Sequence, residues 1–446
     1  MGIRRVRPIA EVMLGVRLGL LALGIGACAA PAPVPLPSGQ LELLRAEAEA
    51  ARGLHFQGPV EARLLPPAGL VRVLREELDA ALGSELARRD AAVKETLGLL
   101  PPGTDLRRAT LDFQSRAVVG FYAPIRRRLY VVETPGSPAL SREAALVAVH
   151  ELVHALQDVH FDLLDVLLGL TEHDDLAFAL GALLEGDAIW AGFRYEETAR
   201  GLAPLAPADL ARDYGVEYAA AAHPDAPRLL RETFLLQYPA GYELVSRLVE
   251  AGGVAALDAA LRDPPLTSAE LLHPELHLDA RRPRGLLELP VESALARGDC
   301  ERLGANSFGE VGLGIWARER SAGLAASEAL ASGWDADRAV VLDCREGRVF
   351  AWLVQLDDPG AASRFAEQAT PLAEGLGADT GLAAAARVDA SGRRVLLSAG
   401  VGLAARARLL VELEGRAFAD LDAFLEAHPE IAERARALRR RGGRLR

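Results

Sequence analysis

Methionine is nearly absent from this chain: of 446 residues, only Met1 and Met13 carry it. Cysteine occurs three times, as Cys28, Cys300 and Cys344, and lysine once, as Lys94. A single lysine beside many arginines and abundant alanine marks a compositional bias, so alanine content alone does not argue for helix. Positive charge is also in deficit, 50 Lys and Arg against 62 Asp and Glu, which argues against nucleic-acid binding. No glycine-rich loop of the phosphate-cradling kind is present; Ala399-Gly400-Val401-Gly402 holds only an isolated G-x-G. The apolar run Leu18–Ala27 is shorter than the ~20 residues a bilayer crossing needs.

Histidine is scarce too, nine in the chain, yet two of the nine stand in His150-Glu151-Leu152-Val153-His154. On a helix this H-E-x-x-H spacing puts both imidazoles on one face, one turn apart, where they can share a Zn²⁺ ion. Glu151 then lies beside an open coordination position, placed to take a proton from water. Ser141 can cap such a helix, and Ala144–Val149 leads into the motif without glycine or proline. Leu152, Val153, Ala155 and Leu156 make the surroundings apolar, so the three polar groups need compensation, which a metal provides. A pair of core histidines beside a buried ion pair is the competing reading.

Two zinc-peptidase families suggest different third ligands. The segment partly resembles the metzincin pattern H-E-x-x-H-x-x-G-x-x-H, with His160 at the place of the last histidine. Gln157 occupies the glycine position, however, and no methionine follows Met13 to form the turn that fold requires. In the gluzincin pattern the third ligand is a glutamate from a following helix. Leu176–Trp190 reads as an almost wholly apolar helix with Glu185 in its middle, a costly place for a carboxylate that no cation compensates. Asp158 and Asp187 are candidates to support the ligands from behind. The cluster Glu172-His173-Asp174-Asp175 reads as a polar connector between the two helices.

His-Glu-Leu-Val-His-Ala-Leu-Gln-Asp at 150–158 is similar to the zinc helix of thermolysin-like gluzincins. Several segments also resemble a family of bacterial and haloarchaeal surface proteins regarded as zinc peptidases. They are Gly120-Phe121-Tyr122, His150–Phe161, Leu184-Glu185-Gly186-Asp187-Ala188, Tyr238-Pro239-Ala240-Gly241, Gly252-Gly253 and Pro264–Pro274, with a weaker echo at Gly333–Arg338. The resemblance implies zinc held by His150, His154 and Glu185, with Glu151 as general base. By analogy with thermolysin-like enzymes, His273 is the first candidate to steady the oxyanion, with Tyr238 and Tyr242 behind it. The hairpin ahead of the zinc helix would hold an extended peptide at its edge. No substrate is implied.

Residues 1–27 read as an export signal, with Arg4, Arg5 and Arg7 ahead of the apolar run. Ile25-Gly26-Ala27-Cys28 resembles a lipobox, which implies lipidation of Cys28 and anchoring to the cell envelope, on the outer membrane's periplasmic face in a two-membrane host. Residues 28–39 are proline-rich and read as a tether. Beyond residue 27 the chain has 46 basic and 61 acidic residues, net −15. Cys300 and Cys344 remain as an even pair, open to a disulfide in an oxidising compartment.

The expected fold class is α+β. A mostly helical, gluzincin-like domain spans 40–295, with a small β-hairpin (116–122 and 128–132) before the zinc helix. Residues 40–100 read as helical, two helices fill 227–262 with a break at Gly252-Gly253, and 281–285 reads as a crossing between domains. A smaller α+β domain spans 300–436, with helices within 308–331 and 360–373 and strands at 338–344, 347–355, 384–388 and 393–398. Residues 437–446 read as a solvated, fraying basic tail. The functional expectation is a lipid-anchored zinc peptidase acting on a peptide or protein. The alternatives are a non-catalytic envelope binding or assembly factor with a zinc-stabilised core, and a metal-free structural lipoprotein.

Overall fold

The structure is a computed structural model that describes residues 33–118, 120–132, 140–215, 223–279, 286–295, 300–376 and 381–443. The export segment, Cys28 and the expected crossing at 281–285 lie outside these residues. Helix makes up 60% and strand 16%, the strands gathered in small sheets, so the fold is α+β and mostly helical.

The first sheet has the order β1-β2-β4-β3, formed by β1 (Val34–Pro35), β2 (Glu61–Leu65), β3 (Gly120–Ala123) and β4 (Arg128–Val132). β3 and β4 form an antiparallel hairpin, and β2 lies parallel to β4. β2 sits inside the stretch expected to be helical throughout. Five residues bounded by Gly58-Pro59 and Pro66 are enough for a strand once a neighbour supplies its hydrogen bonds. β1 pairs with β2, Leu36 is buried, and a helix starts at Ser38, so the chain is already folded from Val34 onward rather than tethered to residue 39.

Three long helices build the N-terminal half. The motif helix, Arg142–His160, is capped by Ser141, whose side chain accepts from the Ala144 N–H. The glutamate helix, Asp174–Arg200, is long and apolar enough to cross a membrane, but 78% of its most apolar window is buried inside the fold. The tyrosine helix spans Gln237–Arg262 and breaks at Gly253, whose φ of 68° suits glycine. It crosses the glutamate helix with the two backbones touching. A Cβ on Gly241 would lie 1.7 Å from the Ala182 carbonyl oxygen, and one on Gly186 would lie 2.2 Å from the Gly241 carbonyl carbon. The glycines in Glu185-Gly186 and Ala240-Gly241 therefore set how closely Glu185 and Tyr238 approach.

The C-terminal half is a five-stranded antiparallel sheet of order β6-β7-β8-β10-β9: β6 (Cys300–Asn306), β7 (Trp334–Cys344), β8 (Gly347–Leu356), β9 (Arg387–Ser391) and β10 (Arg394–Ala399). β7 and β8 are buried almost throughout, as expected of strands covered on both faces. Asp337 accepts hydrogen bonds from the Phe308 and Gly309 N–H groups and from the Trp334 and Trp352 indoles, which accounts for a buried carboxylate at Gly333–Arg338. Cys300 and Cys344 face each other across β6 and β7 and are joined by a disulfide. A two-stranded ribbon pairs β5 (Leu286–Glu288) with β11 (Arg416–Phe418).

One hydrophobic core runs through both halves, joining Phe178 and Leu183 of the glutamate helix to Trp316 and Trp352 of the C-terminal half. The sequence boundary near residue 300 is therefore not a gap in packing. Nor does the basic tail fray over its described length. Pro429–Gly442 is a helix, and Arg439 reaches Asp158 and Asp165, which neutralises a charge that would otherwise keep the segment in solvent.

Because its neighbour is backbone, Gly241→Ala cannot be absorbed by a side-chain rotation. The expected loss of stability is about 1–3 kcal/mol, read as a lower urea midpoint. An unchanged midpoint would show that the helices can part at no cost.

Candidate metal centre

The motif helix and the glutamate helix meet so that three ligating atoms converge. His150 Nε2 and His154 Nε2 are 3.2 Å apart, and Glu185 Oε2 lies 3.2 Å from the first and 3.5 Å from the second. Tetrahedral ligands at about 2.0–2.1 Å from a zinc ion stand about 3.3–3.4 Å from one another. The triangle therefore has the size of one tetrahedral face, with a fourth direction left over. No hydrogen bond of good geometry satisfies Glu185 Oε2, although it is buried. Two imidazole nitrogens and a carboxylate oxygen facing one another suit a divalent cation of borderline softness.

Behind the ligands, Gln157 fixes the tautomer of His154. Its amide is fully buried, and its Nε2 donates to the Leu184 carbonyl (3.0 Å) and to Asp187 Oδ2 (2.9 Å). Both amide hydrogens are thereby used, so Oε1 must face His154 and accept from Nδ1–H at 2.8 Å. The His154 Nε2 lone pair is then free to ligate. Asp187 is itself held by Arg52 at 2.5 Å, and both side chains are fully buried. Asp187 thus supports the centre through Gln157 rather than by touching an imidazole. In the sequence Gln157 stands out only as the residue at the metzincin glycine position. The available signal was a glutamine one turn after His154 on an otherwise apolar face.

Glu151 is buried beside the triangle, and its Oε2 accepts the Tyr122 N–H of β3 at 2.7 Å. Burial pushes this carboxyl above its ordinary range, against the pull of His150 and His154. For His154, burial works downward, but the Glu185 carboxylate outweighs it and raises the imidazole to about 9. Burial likewise opposes charge on Glu185, yet His154 and His150 hold it below the usual carboxylate range. These groups are set by one another's charge.

The triangle and Glu151 lie in a cleft of about 550 Å³. It is lined by the edge strand β3, through Gly120, Phe121 and Tyr122, and by Leu230, Phe234 and Tyr238. Gly120 allows the strand to lie on the motif helix, since a Cβ there would be 2.4 Å from Val147 Cγ1. Burial lifts the Tyr238 phenol well above its ordinary range, with Glu185 and Glu151 adding to the shift, so it remains a proton donor. Lys94, the single lysine, also lines the cleft and pairs with Asp90 and Asp174.

Three expected residues stand elsewhere. His273 lies outside the cleft, with Nε2 3.0 Å from Glu310 of the C-terminal half. Its segment is tied to the start of the glutamate helix, where the Ser268 N–H donates to Asp175, and to the C-terminal half, where the Val311 N–H donates to Ser268 Oγ. Tyr242 is buried with its hydroxyl donating to the Leu205 carbonyl, a packing role. Asp158 touches no ligand; it accepts from the Tyr122 hydroxyl and pairs with Arg127 and Arg439. It therefore supports the strand that holds Glu151. His160, on the unbroken helix, donates from Nε2 to the His55 carbonyl, away from the triangle.

Among known families, one described as a domain of unknown function (DUF8575) matches residues 298–409. The match begins where the C-terminal sheet begins and leaves out all the residues of the centre. No curated protein matches the chain, and no solved structure does.

If Gln157 orients His154, Gln157→Leu weakens metal binding by about 10–100-fold. Competition with a chromophoric chelator measures it. Affinity equal to that of the unaltered chain would remove Gln157 from the centre.

Proposed function

We propose that the chain is a zinc-dependent peptidase that hydrolyses amide bonds in a peptide or protein at the cell envelope. The observation that carries this reading is the triangle of His150, His154 and Glu185 with Glu151 beside its remaining open direction. A purely structural zinc site has four protein ligands and no need of a base. A bound zinc ion supplies Lewis acidity at its open position, polarising a carbonyl and lowering the pKa of water.

The chain's own residues supply the rest. With Oε2 held by the Tyr122 N–H, Glu151 keeps Oε1 to take the proton of the attacking water and pass it to the leaving amine. Tyr238, which lines the same cleft, replaces His273 as donor to the developing oxyanion. β3 is the open edge of its sheet. Since the Tyr122 N–H points toward the cleft, strand alternation turns the Gly120 N–H and C=O and the Tyr122 C=O the same way. These groups offer an extended peptide backbone pairing without reading its side chains. The apolar wall of Leu230 and Phe234 favours an apolar residue beside the scissile bond.

Export and anchoring through Cys28 rest on the N-terminal sequence pattern, and the Cys300–Cys344 disulfide fits the oxidising compartment they imply. The test is cleavage of a mixed peptide library followed by mass spectrometry. Glu151→Gln keeps its zinc and loses about 10²–10⁴-fold in rate, while Tyr238→Phe loses about 10²–10³-fold in kcat with little change in KM. Equal cleavage by wild type and Glu151→Gln would overturn the reading.

A further inference from the structure

A second group of ligating atoms lies apart from the cleft. His173, Glu288 and His428 each offer one ligand atom, all within 4.8 Å of one another. They come from distant parts of the chain. His173 precedes the glutamate helix, Glu288 ends β5, and His428 joins the helix Leu421–Ala427 to the last helix. We propose that His173, Glu288 and His428 bind a second divalent cation of the zinc class, which fastens the C-terminal helices to the start of the glutamate helix.

The orientation of His428 carries the argument. Its Nδ1 lies 3.1 Å from Glu430 Oε1, while its Nε2 is buried, has no hydrogen-bond partner, and faces Glu288 Oε2 at 3.5 Å. A neutral imidazole that donates Nδ1–H to Glu430 turns the Nε2 lone pair toward another electron-rich atom, the Glu288 carboxylate. A cation between them satisfies both. Carboxylate, imidazole and metal in line is the arrangement in which a ligating histidine is usually held. The 3.5 Å separation is also close to the ~3.3–3.4 Å edge of a tetrahedral zinc site.

The surroundings suit a structural ion. Phe424 lies 4.4 Å from the His428 ring and 5.2 Å from His173, and Phe418 lies 6.1 Å from His428. Arg338, which would oppose a cation here, donates to the Glu172 carbonyl and to Glu292, each at 2.8 Å, so its charge is already compensated. The site also has a mechanical consequence. The helix it would hold carries Arg439, which grips Asp158 beneath Tyr122, so an ion here steadies the far support of the first centre.

The test is zinc content of the full chain by elemental analysis after dialysis against buffered zinc, with circular dichroism confirming that each variant is folded. Wild type binds two equivalents, His154→Ala one, His428→Gln one, and the double variant none. In the His154→Ala background, zinc raises Tm, and adding His428→Gln removes the rise. Glu288→Gln replaces His428→Gln if the latter does not fold. Zinc content that is the same in His154→Ala with and without His428→Gln overturns the proposal, as does a chain with no zinc. One equivalent in wild type, kept in His154→Ala and lost in His428→Gln, supports this site and overturns the first centre.

Discussion

Two carboxylates on one apolar helix, Glu185 and Asp187, have to be compensated where water barely reaches, and the architecture around the centre follows from that requirement. Asp187 receives Arg52 from the helix Ser38–Arg52 and the amide of Gln157 from the motif helix. Glu185 receives two imidazoles from the same motif helix. The bare glycine surface at Gly186 and Gly241 brings the tyrosine helix into backbone contact beside them. Removing Arg52 would leave the buried Asp187 carboxylate without its counter-charge, which is far costlier than the loss of one hydrogen bond.

Much of this was legible in the sequence wherever a local period or a local cost carries the information. The H-E-x-x-H spacing, the Ser141 cap and the hairpin turn are short-range patterns, and the Gly252-Gly253 break appears as non-helical backbone. Glu185 stood out because an uncompensated carboxylate in an apolar helix is expensive. The misses share a different cause, since each depends on a partner distant in sequence. β2 is a strand because β4 pairs with it. Gln157 matters because Leu184 and Asp187 claim its amide hydrogens. His273 turns away because Glu310 pairs with it and the Val311 N–H donates to Ser268 Oγ, both from the C-terminal half. Arg439 is ordered because Asp158 and Asp165 wait for it, which composition of the tail could not reveal.

The C-terminal half does not stand aside from the centre. Its sheet shares a core with the glutamate helix, and the last helix returns to the N-terminal half, where Arg439 reaches Asp158. Asp158 holds the Tyr122 hydroxyl, and the Tyr122 N–H holds Glu151. Three consecutive contacts thus connect the last helix to Glu151. This gives the C-terminal half a physical role in holding the edge strand and Glu151 in register, whatever else it binds.

Anomalous diffraction at the zinc edge, from crystals of the zinc-loaded protein, tests for an open three-ligand zinc site at His150, His154 and Glu185. The expected result is a peak about 2.0–2.2 Å from His150 Nε2, His154 Nε2 and a Glu185 carboxylate oxygen, with no fourth protein ligand. A peak closed by a fourth side chain, or no peak between these residues, would contradict it.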